Sequence, residues 1–587
     1  MIKKSVFIVL LTVLGVLLYL YSNFKTIGAG IAILLFGMVL LEEGFKAFTK
    51  GPLQNILKKA TNKLYKSISA GAFVTAIIQS SSLVSVIAIS FISAGLISLS
   101  GGIGLIFGAN IGTTATAWLV AGFGLKIKIS ALAMPMLIFG IIFSFQKKPA
   151  IKGIGNVLAG LGFFFLGIHY MKEGFDVFKD YVDLSQYAVS GFLGVLIYTG
   201  LGIIITTILQ SSSATLALIL TALSAGQIEY ENALALAIGA NVGTTITAIL
   251  GSLGSNVAGR RLAGAHFVFN IVTGVVALAL IYPLANLVNK ISELVNIGAT
   301  DYTLKLAVFH TIFNVVGVII MIPFIKTLER VLIRFFKEQK DKDINEPKYL
   351  NEAVLKFPGS VISALISESN FLYKNTIFEI VAHALNIHRV DIKSDEKVKS
   401  IIKKSTKDLH TDVDELYYKK VKTIYGEIIR YAITAQKDLK LNEKENEVIT
   451  DIKIANRKMV EIIKDARELN KNITLSLDLD NKHMLKEYDG FRKKITKVLR
   501  IIYLFRKAED SDEYAIKLAQ LKKEAKENIR RSNKSIDKLI RENLISAEMA
   551  SSLFNDYTNV NDMIKKLIEV AELLYGKKDT LLDDNSN

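Results

Sequence analysis

The sequence predicts an all-α chain: a polytopic membrane protein built from two inverted repeats, each with a re-entrant helical hairpin, followed by a soluble helical domain. Three observations predict it. Charge is segregated, with 21 Lys/Arg and 10 Asp/Glu in residues 1–326 against 50 and 44 in residues 327–587. Apolar segments of about 20 residues, the length that crosses a hydrocarbon core, recur in the first part. Two polar motifs interrupt that part and recur at constant spacing. A mean hydropathy of +0.37 argues against an ordinary soluble enzyme. The absence of cysteine excludes disulfides, thiolate metal sites and cysteine nucleophiles. The net charge of +17 does not indicate nucleic acid, because basic residues of the first part fall in short loops beside apolar spans, where topology explains them.

The expected organisation is an N-terminal transmembrane helix in 1–26, a first repeat in 27–152, and a second repeat plus a last transmembrane helix in 153–326. A linker over 327–350 and a cytoplasmic helical domain over 351–587 follow. Ser5–Ser22 reads as an uncleaved helix, since its apolar run is long and no small-x-small cleavage site follows. Further spans are expected at 27–47, 99–122, 129–145, 153–175, 230–252, 263–286 and 303–326. Two apolar stretches, 67–97 and 189–223, are interrupted by polar residues. With Lys3 and Lys4 in the cytoplasm, the lysine-rich 46–66 connector, Lys147, Lys148, Lys152, Arg260 and Arg261 all fall inside. The acidic 172–188 loop falls outside, and Lys126 and Lys128 are the exceptions. This works only if each interrupted stretch enters and leaves on one side, the first hairpin opening to the cytoplasm and the second to the exterior. Both termini are then cytoplasmic.

The chain repeats itself. Gly37, Glu43, Gly44, Phe45 and Phe48 recur as Gly167, Glu173, Gly174, Phe175 and Phe178. Gln79, Ser80, Ser81 and Ser82 recur as Gln210, Ser211, Ser212 and Ser213. The segment Gly108 to Thr114, with Asn110, Thr113 and Thr114, recurs as Gly239 to Thr245, with Asn241, Thr244 and Thr245. Gln and Asn stand 31 residues apart in both copies. Three crossings and one hairpin per copy would invert the second copy, a signature of secondary transporters.

The polar motifs suit ion binding. Serine is a poor helix former and a good N-cap, so QSSS fits a hairpin tip. The helix leaving such a tip offers free N–H groups and its positive dipole end to an anion. Gln, Asn, Ser and Thr oxygens with freed carbonyls form a hard-oxygen cage for a small cation such as Na⁺. Neither motif contains Lys or Arg, so a buried multivalent anion would depend on bound cations for its counter-charge. Plain helix packing by small residues is the competing reading, and the duplicated spacing weighs against it. His266-x-x-Phe269-Asn270 and His310-x-x-Phe313-Asn314 form another echo, read as helix–helix hydrogen bonding.

The paired QSSS and GAN-x-GTT segments resemble the sodium-dependent phosphate cotransporter family over residues 27–326. The resemblance implies Na⁺-coupled phosphate symport by alternating access, with the two QSSS tips facing each other. It implies Gln79, Ser80, Ser81, Ser82, Gln210, Ser211, Ser212 and Ser213 as phosphate ligands. Gln79, Ser82, Asn110, Thr113, Thr114, Gln210, Ser213, Asn241, Thr244 and Thr245 are the implied sodium ligands. Expected partners are inorganic phosphate, sodium ions and membrane lipid, with a homodimer as the oligomeric form to test; no cofactor beyond Na⁺ and no transition metal is expected. No nucleophile–base constellation argues for an enzyme. The rivals are an exporter, a carrier of another oxyanion or a carboxylate, and a membrane signalling protein that binds phosphate without moving it.

After Pro358 apolar residues recur at helical spacing. Helices are expected at 353–389, 411–439, 442–469, 480–508, 512–537 and 541–575, as two three-helix bundles. A bundle pair in this position resembles the PhoU family of phosphate-response regulators. That family's acidic metal pairs would align here with Lys453-x-x-x-Arg457 and Thr558-x-x-x-Asp562, so no such metal cluster is expected.

Overall fold

The computed structural model describes residues 22–49, 60–126, 129–179, 191–337, 346–406, 412–478, 481–508 and 512–576, with isolated positions between them. Regular structure among the described residues is helical, and the chain divides into two compact units, 1–338 and 339–587. Ser5–Ser22 lies largely outside the described residues.

The first unit begins with α1 (Ser22–Thr49). The hairpin arms α2 (Leu64–Ile78) and α3 (Ser81–Ser93) follow, then α4 (Leu99–Gly112) and α5 (Thr114–Trp118). A π-helical turn, Leu119–Gly124, leads to α6 (Ile129–Ser144) and α7 (Pro149–Lys179). The second copy supplies α8 (Gly191–Leu209), α9 (Ser212–Ser224), α10 (Tyr230–Gly243), α11 (Thr245–Ser252), α12 (Val257–Ala279), α13 (Ile281–Leu294), α14 (Tyr302–Met321) and α15 (Ile325–Phe335). Seven helical stretches among the described residues are long and apolar enough to cross a membrane.

Helix α6 runs Ile129–Ser144, matching the 129–145 stretch, with Pro135 inside it. Two spans differ from expectation. The 263–286 span ends early, because α12 stops at Ala279 and α13 starts a separate amphipathic helix. Gly191–Leu209, read as one arm of a hairpin, is by itself 19 residues and long enough to span. Helix α15 occupies the start of the 327–350 segment, burying Ile325, Leu328 and Leu332 on one face. Lys126, an exception to the charge pattern, is 2.6 Å from Asp301, which also caps α14.

Equivalent elements share an offset of 131: α3 with α9, and α4 with α10. Their packing repeats too. A Cβ on Gly71 would meet Leu105 O at 2.2 Å, and one on Gly202 would meet Leu236 O at 2.3 Å. Likewise Gly108 faces Ile68 O at 2.0 Å and Gly239 faces Thr199 O at 2.1 Å. Only glycine lets α2–α4 and α8–α10 approach backbone to backbone, a close contact that gains dispersion energy where the hydrophobic effect offers no drive. A second seam joins α1 to α7. Gly30 packs on Gly167, Gly37 on Gly160 and Gly44 on Gly153, so these two equivalent helices run antiparallel.

In the second unit, Pro358–Leu372 and its continuation to Ala384 pack with Lys422–Asp438 and Glu443–Asp478. Lys482–Lys507, Asp512–Arg541 and Ala547–Tyr575 form the other group, and Glu443–Asp478 also lies along Ala547–Tyr575. The third long helix runs nine residues past its expected end at 469. Two short helices, Arg389–Lys393 and Val398–Lys404, occur where the sequence reading had none.

Candidate functional site

Each QSSS breaks its helix in the same way. Gln79 closes α2 in the left-handed region at φ 58°, and Gln210 closes α8 at φ 53°. A residue without glycine's freedom holds this conformation at a cost, so it persists only where the surroundings impose it. Ser80 and Ser211 are then extended. Their hydroxyls cap α3 and α9 by accepting from Leu83 N–H and Ala214 N–H, each at 3.2 Å. Ser81 and Ser212, both buried, begin those helices. The first-turn N–H groups of a helix lack intrahelical partners and carry its positive dipole end, so both tips are suited to an anion.

The hydroxyls of the GTT turns are oriented differently. Thr113 donates to Asn110 O at 2.7 Å, Thr114 to Ile111 O at 2.7 Å, Thr244 to Ala240 O at 2.9 Å and Thr245 to Val242 O at 2.8 Å. A hydroxyl whose proton is spent on its own helix presents oxygen lone pairs outward. Such groups can ligate a cation and cannot donate to an anion. The local chemistry thus divides: donors at the serine tips, acceptors at the threonine turns.

The two copies are interlocked by residues the sequence reading passed over. Thr116 Oγ1 is 2.8 Å from Gln79 Oε1 and 3.0 Å from Ser213 Oγ. Thr247, its equivalent at offset 131, is 3.2 Å from Ser82 Oγ. Ser82 and Ser213 are themselves equivalents, so each hairpin tip meets the threonine helix of the other copy. Helix packing follows the same exchange, α5 against α9 and α11 against α3. Thr116 has one proton for two bonds. When it goes to Gln79 Oε1, Ser213 supplies the other, and Gln79, Thr116 and Ser213 form one chain. The signal was present: the repeat extends two residues beyond GTT, as Ala115-Thr116 and Ile246-Thr247.

The asparagines point elsewhere. Asn110 Nδ2 donates to Ile106 O of its own helix at 2.8 Å. Asn241 Nδ2 donates to Asn314 Oδ1 at 2.8 Å, and Asn241 Oδ1 is 3.2 Å from His310 Nε2. One HxxFN echo therefore ties α14 to α10 by side-chain hydrogen bonds. The other sits on α12, where Phe269 packs on Phe107 of α4 at a centroid distance of 4.4 Å.

Both tips also touch α1. The Ser80 hydroxyl is 3.4 Å from Glu42 Oε2, and Ser211 Oγ is 4.0 Å from Met38 Sδ. Met38 and Glu42 are one helical turn apart, on the same face. Gln210 is exposed and Gln79 half-buried. No group of three or more His, Asp or Glu suited to a metal ion occurs among the described residues.

Residues 33–173 and 195–335 each match the Na⁺/Pi-cotransporter family, one match per copy. YjbB of Salmonella typhimurium, named for inorganic phosphate export, is 28% identical over 333 residues, 56% of this chain and 59% of that protein. YqeW of Bacillus subtilis is 27% identical over 299 residues, 50% of this chain and 92% of its own length. Sodium-dependent phosphate transport protein 2C of Mus musculus is 39% identical over 87 residues, 14% of each chain. This chain thus spans about three-fifths of the length of the Salmonella relative. No solved structure matches. With two family matches that coincide with two equivalent sets of helices and two equivalent tips, the chain belongs to the Na⁺/Pi-cotransporter family.

Proposed function

We propose that the first unit carries inorganic phosphate coupled to Na⁺ by alternating access. Phosphate is held between the QSSS tips, and Na⁺ by the oxygens of the threonine turns and tip residues. The reciprocal pairs Thr116–Ser213 and Thr247–Ser82 carry this reading, because they bring each tip to the other copy's threonine helix. Donors and cation ligands then share one site with no fixed cation in either motif. An anion of charge near −2 is costly in a low-dielectric site unless cations accompany it. That makes coupling a consequence of composition. The antiparallel contact of the equivalent helices α1 and α7 supports inverted copies, and inverted copies suit alternating access.

Uptake of ³²P-phosphate into proteoliposomes tests the reading. It should require an inward Na⁺ gradient and vanish when choline replaces Na⁺. The name of YjbB favours a second reading, in which the same site works in export. Counterflow from phosphate-loaded vesicles with the Na⁺ gradient reversed separates the two directions. The second unit, on its resemblance to phosphate-response regulators, would adjust the rate to the phosphate supply. Linkage requires it to bind differently to the two access states.

A further inference from the structure

The second unit contains a cavity of about 830 Å³, within the range of roughly 300–1,000 Å³ typical of small-molecule sites. Helices of both three-helix groups line it. Its polar wall carries Lys348, Lys374, Arg506 and Lys507 against one carboxylate, Asp451. Its apolar wall includes Val448, Ile452, Leu573 and Leu574, with the rings of Tyr349 and Phe371. A smaller recess shares Lys374 and Arg506 and adds Arg389 and Lys393. Six cationic side chains therefore line the cavity and the recess beside it.

A basic surface is more often solvated than functional, and elsewhere in this unit lysines meet acids: Lys458 with Glu569 at 2.5 Å, Lys522 with Glu572 at 2.7 Å, Lys566 with Asp465 at 2.8 Å. Around the cavity several cations also rest on aromatic faces, while Lys348 lies within electrostatic reach of the Glu368 carboxyl. Lys507 Nζ is 4.9 Å from the Tyr503 ring centre, Lys348 Nζ is 5.6 Å from Phe371 and Lys393 Nζ is 5.6 Å from Phe378. Arg389 has Glu379 at 3.5 Å. The Lys393 ammonium is pushed below its ordinary range by burial, then by Arg389, Arg506 and Lys374. On the recess wall the buried Tyr373 hydroxyl has no hydrogen-bond partner among the described residues and can donate to an anion, while the Asn370 Oδ1, also without one, can accept from a ring N–H. Like charges gathered beside such groups are unfavourable in an empty site and favourable around a polyanion.

We propose that this cavity binds a nucleotide-class anion, its phosphates against Lys374, Arg506 and Lys507 and its ring system against Tyr349 and Phe371. An orthophosphate ion would leave most of the volume unfilled and would not use the aromatic wall. The proposal rests on the second unit alone and is independent of what the first unit carries.

Isothermal titration of the purified full-length protein with ATP, in chelator and without Mg²⁺, tests it. Saturable binding is expected, weakened at least tenfold by Lys374→Glu and by Lys507→Glu. Lys374→Arg should retain it, and Lys566→Gln, outside the cavity lining and paired with Asp465, should leave it unchanged. Orthophosphate should compete at least a hundredfold more weakly than ATP. Absence of ATP binding at millimolar concentration would overturn the proposal, as would equal affinity in the charge-reversed variants while their thermal unfolding matches the parent. Orthophosphate binding as tight as ATP would overturn the nucleotide class. Vesicles of anionic lipid bound through Lys374 and Lys507, with no ATP binding, would overturn it in favour of a membrane surface.

Discussion

The two hairpin tips have the same backbone and different surroundings. Both turn at a left-handed glutamine and both are capped by the following serine at 3.2 Å. The first tip lies beside the Glu42 carboxylate, and its glutamine is held by Thr116. The second lies beside the Met38 thioether, and its glutamine is exposed. Behind the second tip, Thr206 and Thr215 bond to each other at 2.9 Å. Their counterparts in the first copy are Thr75, whose buried hydroxyl has no partner among the described residues, and Val84. Duplication preserved the fold of the tip, while the contact with a single scaffold helix made the tips chemically unequal. The difference assigns the charged neighbour to one tip only.

The largest expected effect tests what the copies share. Gly108→Ala and Gly239→Ala place a methyl about 2 Å from a facing backbone oxygen, and a carbonyl cannot move aside as a side chain can. Overpacking of this kind costs about 1–3 kcal/mol and occasionally more. Both variants should lower the unfolding temperature in detergent by similar amounts, and a loss confined to one copy would break the equivalence.

Removing the interlocking hydroxyls should sharpen the asymmetry. Thr116→Val deprives two tip residues, Gln79 and Ser213, of a partner, whereas Thr247→Val deprives one, Ser82; the Thr244 carbonyl, which also loses the Thr247 hydroxyl, keeps the Thr247 N–H. An unsatisfied buried group costs about 1–3 kcal/mol. Transport by Thr116→Val should fall by about ten- to a hundredfold, and that of Thr247→Val by less. Initial uptake rates normalised to folded protein provide the comparison.

Ser81→Ala and Ser212→Ala should weaken phosphate affinity and leave folding nearly intact. Loss of a donor to a charged ligand costs about 1.5–3 kcal/mol, a factor of about ten to a hundred in affinity. Near-normal affinity in both would identify the tips as packing elements.

The smallest effect concerns the neighbours on α1. Glu42→Gln removes a negative charge from beside Ser80, at a distance where the hydrogen bond is weak. A few-fold increase in the Na⁺ concentration needed for half-maximal uptake is expected. Met38→Leu, near Ser211, should leave Na⁺ dependence unchanged. Equal responses would mean that the charge difference between the tips has no part in coupling.

Much of this was legible from sequence because it depends on neighbours in the chain. Hydropathy located most of the spans, since each must match a bilayer by itself. A serine cap acts over three residues, so QSSS announced both breaks. The α12 end at Ala279 lies inside an apolar run where hydropathy has no signal, and its mark is local instead: Pro283 has no N–H to bond the Ala279 carbonyl. Other features depended on distant partners. Glycines at 30, 37 and 44 are spaced by seven, and so are those at 153, 160 and 167. Neither set alone says that they meet in antiparallel register. The cationic cavity of the second unit brings Arg506 and Lys507 to Lys348 and Lys374, more than a hundred residues earlier in the chain.

What the sequence by itself determined is the repeated local chemistry: where the helices break, which serine caps each, and which threonines turn their lone pairs outward. These follow from dihedral preferences and hydrogen bonds within one turn. What only the tertiary structure decided is the exchange of partners between copies: Thr116 with Ser213, Thr247 with Ser82, Asn241 with Asn314 and His310, and Glu42 with the first tip alone. A hydroxyl or carboxylate bonds whatever group packing brings within about 3 Å. That group is chosen by how whole helices fit together, a fact that no spacing along the chain contains.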